Sequence, residues 1–185
     1  MPEDLLIRYC APTLAGLKTA SLFACPYDTA ALLRADLRLW NARLGPKGLR
    51  VLPLRYREGR AQIFLYRPQR LREDLQSGAA QSLLRERGYA GGSAERCLIQ
   101  LMERVRRAGR DDFPHEIGLF LGYPPEDVWG FLEQGPGACK CAGLWKVYGN
   151  EEKARALFAA FDACTQICLR RWDRGATVEQ LTAAE

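Results

Sequence analysis

The chain carries one histidine, His115, which follows Pro114 and precedes Glu116 at a place where the pattern opens a helical turn. Only an imidazole has an ordinary pKa near neutrality, so His115 could act as a general base, a metal ligand or an axial haem ligand. Capping a turn or bonding a carbonyl is the structural alternative. A second chemical feature is the close thiol pair of Cys139 and Cys141 around Lys140. Thiolates with one imidazole suit zinc or an iron–sulfur cluster, but these two sulfurs reach one ion only if the segment turns. Cys164 and Cys168 are four apart on a helix and share a face with Phe161 and Trp172, and so read as core packing rather than as ligands.

The largest local charge excess lies between Arg50 and Arg72, with seven arginines against one glutamate. Arg55, Arg57, Arg60, Arg67, Arg70 and Arg72, with Phe64 and Tyr66 interleaved, form a basic face. It would suit an acidic partner protein such as a flavodoxin, a phosphate-bearing cofactor or RNA, and a solvated surface is the plainer reading. The stretch from Glu116 to Val128 has helix-turn-helix spacing, with Gly118 small, a turn at Gly122 and an apolar anchor at Val128. Its second helix would present Glu126 and Asp127, which repel phosphates, so it reads as a packing motif and nucleic acid is not the expected partner. There is no Gly-rich phosphate loop, zinc-protease signature or nucleophile elbow.

These groups need a frame. At 185 residues, 48% hydrophobic and 26% charged, the sequence is that of a globular protein, long enough to bury roughly 70% of its unfolded surface. One domain over 1–185 is expected. No apolar run approaches a membrane span, because Lys18 breaks the stretch from Ala11 to Ala24. Seven irregularly spaced cysteines read as thiols of a reducing compartment, which places the protein in the cytoplasm. The net charge of +5 rests mostly on arginine and does not by itself imply nucleic acid binding.

Periodicity predicts a helix over Glu3–Cys10 ended by Pro12, a strand over Ser21–Cys25, and a helix capped by Asp28 that carries Leu33, Leu37, Trp40 and Leu44. Period-two alternation then predicts a hairpin over 50–67 turning at Glu58-Gly59, with Arg57 opposite Arg60 and Leu54 opposite Ile63. Leu52, Leu54 and Tyr56 would share the core face with Ala61, Ile63 and Leu65. Helices follow over 68–76, to Arg87, and from the Ser93 cap to Gly109. Two short helices broken at Gly122–Pro125, a strand over Cys139–Tyr148 and a long final helix capped by Asn150 complete the reading. The fold class is α+β: a small antiparallel sheet, including the 50–67 hairpin, packed with several helices and a long C-terminal helix.

Five segments carry a wider likeness: CAPTLAGLK at 10–18, PKGL at 46–49, YRPQRL at 66–71, FPHEIGLFLGYP at 113–124 and CAGLWKVYG at 141–149. Together they resemble the bacterial domain-of-unknown-function family 3793 over nearly the whole chain. The resemblance implies one domain and no particular activity. Carried onto this sequence it marks Cys10, His115, Glu116, Tyr123, Cys141, Lys146, Tyr148 and Cys164, and leaves Cys139 outside the motifs. The expected pocket is therefore His115, Glu116, Tyr123, Lys146 and Tyr148, formed where the His115 segment meets the strand from Cys141 to Tyr148. Any metal is expected on Cys10, His115, Cys141 and Cys164, gathered by folding. The resulting expectation is a redox- or metal-linked accessory protein, holding iron–sulfur, zinc or haem if a cofactor binds. The alternative is a non-catalytic module docking an acidic protein through the arginine face. The sequence fixes neither an enzymatic activity nor an oligomeric state.

Overall fold

The computed structural model describes residues 1–109 and 112–184. It is α+β, and it divides into two compact units: 1–69 with 161–185, and 70–160.

The first unit is built on a three-stranded antiparallel sheet of order β1-β3-β2, with β1 over Ala20–Pro26, β2 over Arg50–Arg57 and β3 over Arg60–Tyr66. Glu58 and Gly59 both take positive φ, 53° and 73°, the geometry of a two-residue type I′ hairpin turn. Arg57 pairs with Arg60 as expected, but Ile63 faces Pro53, because a bulge between Pro53 and Arg55 inserts Leu54. The extra residue reverses the side-chain alternation on its N-terminal side. Val51, not Leu52, therefore shares the core face with Ile63 and Leu65. Proline has no N–H for a ladder, so Pro53 sits on an edge strand beside the irregularity.

Helix α1 (Glu3–Leu14) runs through Pro12 rather than stopping before it. Ala11, Thr13 and Leu14 are completely buried, and that burial outweighs the ~3 kcal/mol by which proline disfavours a helix interior. Helix α2 (Ala30–Leu44) is capped by Thr29, whose hydroxyl accepts from Leu32 N–H, and not by Asp28. Its Leu33, Leu37, Trp40 and Leu44 enter the core. A further helix, α9 (Val178–Leu181), opens with a reciprocal capping box between Thr177 and Gln180 and buries Val178 and Leu181. A four-residue helix is too short to announce itself by periodicity.

Arg67 is 1% exposed, so it belongs to this interior and not to a basic face. Its Nε donates to Thr13 O at 2.8 Å and its Nη2 to Leu14 O and Ala183 O at 2.7 and 2.8 Å. A buried guanidinium is tolerated only when its donors are satisfied. Here main-chain carbonyls at the end of α1 and near the C-terminus take them.

The second unit contains the rest of α3 (Pro68–Gln76), then α4 (Gly78–Glu86), α5 (Ala94–Arg107), α6 (Ile117–Phe120) and α7 (Pro125–Gln134). Helix α5 shows why it forms: the Ser93 hydroxyl accepts from Arg96 N–H, Glu95 sits in the first turn, and Arg104, Arg106 and Arg107 sit in the last. It buries Cys97, Leu98, Leu101 and Val105 on one stripe. The expected strand over 139–148 is instead a tight hairpin, β4 (Cys141–Ala142) against β5 (Lys146–Val147). Gly143 lets the turn pack closely, since a Cβ there would run into the Phe158 ring. Phe158 belongs to the long helix α8 (Glu151–Trp172), whose first turn is capped by the Asn150 side chain on Lys153 N–H. Among the described residues no helix is long and apolar enough to cross a membrane.

Candidate functional site

Two segments of the second unit face each other across a cleft: the turn and short helices from His115 to Phe131, and the β4–β5 hairpin. What joins them is Asp127, in the first turn of α7, which is 3% exposed. One carboxylate oxygen accepts from Tyr148 N–H and Gly149 N–H, each at 2.7 Å, and the other from the Trp145 indole N–H at 2.7 Å. Charge-assisted bonds of this kind are the strong ones, and three donors answer a buried carboxylate. Glycines permit the approach. A Cβ at Gly130 would lie 2.4 Å from the Tyr148 ring, one at Gly149 2.6 Å from the Glu126 side chain, and one at Gly118 2.8 Å from Val128. The helix-turn-helix-like spacing thus serves close packing of α6 on α7.

Aromatic rings then form the walls. Trp145 stacks on Tyr123 with ring centres 4.8 Å apart and meets Phe158 edge-on at 4.5 Å. The His115 ring lies 4.8 Å from Phe131 and 6.0 Å from Phe113. The cleft between them has a volume of ≈ 250 Å³ and is lined mainly by His115, Ile117, Tyr123, Val128, Phe131, Trp145 and Lys146. Burial pushes the Tyr123 phenol up to about 12, so its hydroxyl stays protonated; it donates to Leu144 O. The Lys146 ammonium donates to Pro136 O at 2.9 Å and retains two further N–H groups. His115 itself is exposed at the rim.

His115, Tyr123 and Lys146 therefore line one cleft, while Glu116 and Tyr148 turn elsewhere. Glu116 is buried and accepts from Tyr89 O–H at 3.1 Å and Arg104 Nη1 at 3.2 Å, with the Arg104 guanidinium 4.2 Å over the Tyr89 ring. Burial, and then the Glu116 charge, raise the Tyr89 phenol. Tyr148 supports the hairpin, its hydroxyl donating to Gly135 O at 2.6 Å.

Of the expected metal ligands, Cys10 and Cys164 lie in the first unit and His115 and Cys141 in the second. Cys10 is completely enclosed, and burial pushes its thiol up to about 12. Burial, then Cys168, raise the Cys164 thiol to about 11. Without a metal beside them, both therefore stay protonated at neutral pH. Among the described residues no group of three or more His, Cys, Asp or Glu side chains is gathered to hold an ion.

The remaining arginines have varied settings. Arg57 pairs with Glu58 and Arg72 with Glu95, Arg55 and Arg70 are half-buried, and Arg60 is exposed at the hairpin end.

Asp127, Phe131 and Trp145 are cleft residues that the sequence reading did not select. Trp145 stands inside the CAGLWKVYG segment and could have been taken from it. Asp127 could not, because an acidic residue in the first turn of a helix normally complements the helix dipole from solvent.

Fold and site together define an α+β protein of two compact units with an aromatic-walled cleft in the second. The chain belongs to the family described as Protein of unknown function (DUF3793), which matches residues 6–182. No curated protein and no solved structure matches it.

Proposed function

We propose that the chain is a small-molecule-binding accessory protein whose site is the cleft between His115 and Lys146. The observation that carries this reading is the composition of the walls. Stacked rings supply flat apolar surface, and one ammonium and one imidazole stand at the edge. Such a site takes a flat, mostly apolar ring system bearing an acidic group, with the ring between Trp145 and Phe131 and the anion at Lys146. A volume of ≈ 250 Å³ lies just below the ~300–1,000 Å³ of ordinary ligand sites, which points to one or two fused rings. Flat aromatic redox groups fall within that chemistry, and a redox-linked role would be met by such a ligand rather than by a metal. Docking of an acidic protein through the arginines has less support, because Arg67 is internal and Arg57 and Arg72 already face carboxylates.

Calorimetric titration with 2-naphthoate, and with the neutral 2-naphthalenemethanol, tests the reading. The carboxylate binds more tightly than the alcohol to the native chain. Lys146→Met lowers the naphthoate affinity five- to tenfold, about 1–1.4 kcal/mol, and leaves the alcohol unchanged. No naphthoate binding, or binding indifferent to Lys146→Met, refutes it.

A further inference from the structure

Two thiols stand apart from the others. Cys10, Cys25, Cys97 and Cys168 are buried thiols and the partly exposed Cys164 thiol is hydrogen-bonded to Cys168, whereas Cys139 and Cys141 are both partly exposed at the start of the β4–β5 hairpin. Lys140 lies between them. Its N–H continues the hairpin ladder to Val147 O at 2.8 Å, and its ammonium reaches Gly149 O at 2.6 Å. Side chains two apart flank the intervening one and share the other face, and the chain bends at Lys140, which draws Cys139 and Cys141 closer than straight extended backbone would. A disulfide needs Cα atoms within roughly 4.4–6.8 Å, a span that such a bend favours. The Cys139 sulfur touches Pro136 O at 3.7 Å, and the Lys146 ammonium donates to that same carbonyl. The Cys139 thiol and the Lys146 ammonium thus share one acceptor.

We infer that Cys139 and Cys141 form a reversible dithiol–disulfide site that exchanges with low-molecular-weight disulfides. One cysteine thiolate attacks a sulfur of the small disulfide RSSR, the S–S bond of RSSR breaks, and RS⁻ leaves and is protonated to RSH. The second cysteine then attacks the cysteine sulfur of the mixed disulfide, closing the Cys139–Cys141 bond and releasing the second thiolate, also protonated. The two cysteines lose two electrons and two protons, and RSSR becomes two RSH. A ring closed over a single intervening residue is strained, and strain makes a disulfide easily reduced. The bridge is therefore a responsive one, formed under oxidising conditions and opened by excess thiol.

The test uses the full chain, fully reduced and then equilibrated in glutathione buffers from reducing to strongly oxidising. Samples are quenched in acid, alkylated while denatured, and digested with trypsin, which cuts after Lys140 between the two cysteines. In excess glutathione disulfide, the peptide ending at Lys140 and the peptide beginning at Cys141 are recovered joined, two hydrogens lighter than their sum, and they separate again under excess reduced glutathione. Cys139→Ser and Cys141→Ser each stop at a glutathione adduct on the remaining cysteine. Recovery of both peptides alkylated, recovery of glutathione adducts alone from the native chain, or prior oxidation of another cysteine pair overturns the assignment.

Discussion

Each unit holds a buried charge answered largely by main-chain groups, Arg67 in the first and Asp127 in the second, and the two serve different ends. In the first unit the Arg67 guanidinium gathers carbonyls of Thr13, Leu14 and Ala183. It ties the end of a helix to the C-terminal segment, in an interior already filled by leucine, isoleucine and tryptophan. In the second, the Asp127 carboxylate gathers two main-chain N–H groups and an indole N–H, and beside it is open space. A charge that needs several partners fixes the position of all of them. Where those partners are core backbone the result is a closed joint. Where one is Trp145, whose ring forms a wall, the result is a preformed site.

Substitutions separate these roles, beginning with the largest effect. Arg67→Ala strips charge-assisted hydrogen bonds from the Thr13, Leu14 and Ala183 carbonyls and leaves a void, and should cost about 4 kcal/mol of unfolding free energy, read as a lower urea midpoint. Asp127→Ala orphans three donors and should cost about 3 kcal/mol. It should also abolish naphthoate binding under conditions where the chain remains folded by circular dichroism. If Asp127→Ala bound naphthoate as the native chain does, the carboxylate would be a joint like Arg67 and nothing more. Gly130→Ala forces a Cβ into the Tyr148 ring and should cost about 2 kcal/mol by overpacking, with a weaker effect on binding because the hairpin shifts rather than detaches.

The smallest effect is electrostatic and belongs to the first unit. Hydrogen bonding from Arg43 holds the Glu179 carboxyl at about 2, against an ordinary value of 4.5. A depressed acid stabilises the folded state above its ordinary pKa and loses that contribution as pH falls from 4.5 toward 2. The pair is about a third exposed, so the contribution is ~0.5–1 kcal/mol after solvent screening. Glu179→Gln should therefore be less stable than the native chain at pH 7, and the two should converge near pH 2, with naphthoate binding at pH 7 unaltered.

Much of the frame was legible in the residues. Leucines and Trp40 at helical spacing placed α2, Ser93 placed the start of α5, and Glu58-Gly59 placed the hairpin turn, because each depends on neighbours in sequence. The inserted Leu54 was not legible: alternation through Arg50–Arg57 is satisfied in either phase, and tertiary packing chose. Arg67 looked like its exposed neighbours because burying an arginine depends on carbonyls distant in the chain. His115, Tyr123 and Lys146 could be placed together from the family-like segments, but Asp127 could not, since nothing local distinguishes a solvent-facing helix-start acid from one turned inward.

The most direct measurement of the central claim is a nuclear magnetic resonance titration of the labelled chain with 2-naphthoate. The single histidine gives one imidazole, and each tryptophan one indole N–H. Binding in the cleft predicts that His115 and Trp145 shift together and saturably while Trp40, buried in the other unit, stays in place. Saturable shifts elsewhere with His115 and Trp145 unmoved would contradict it.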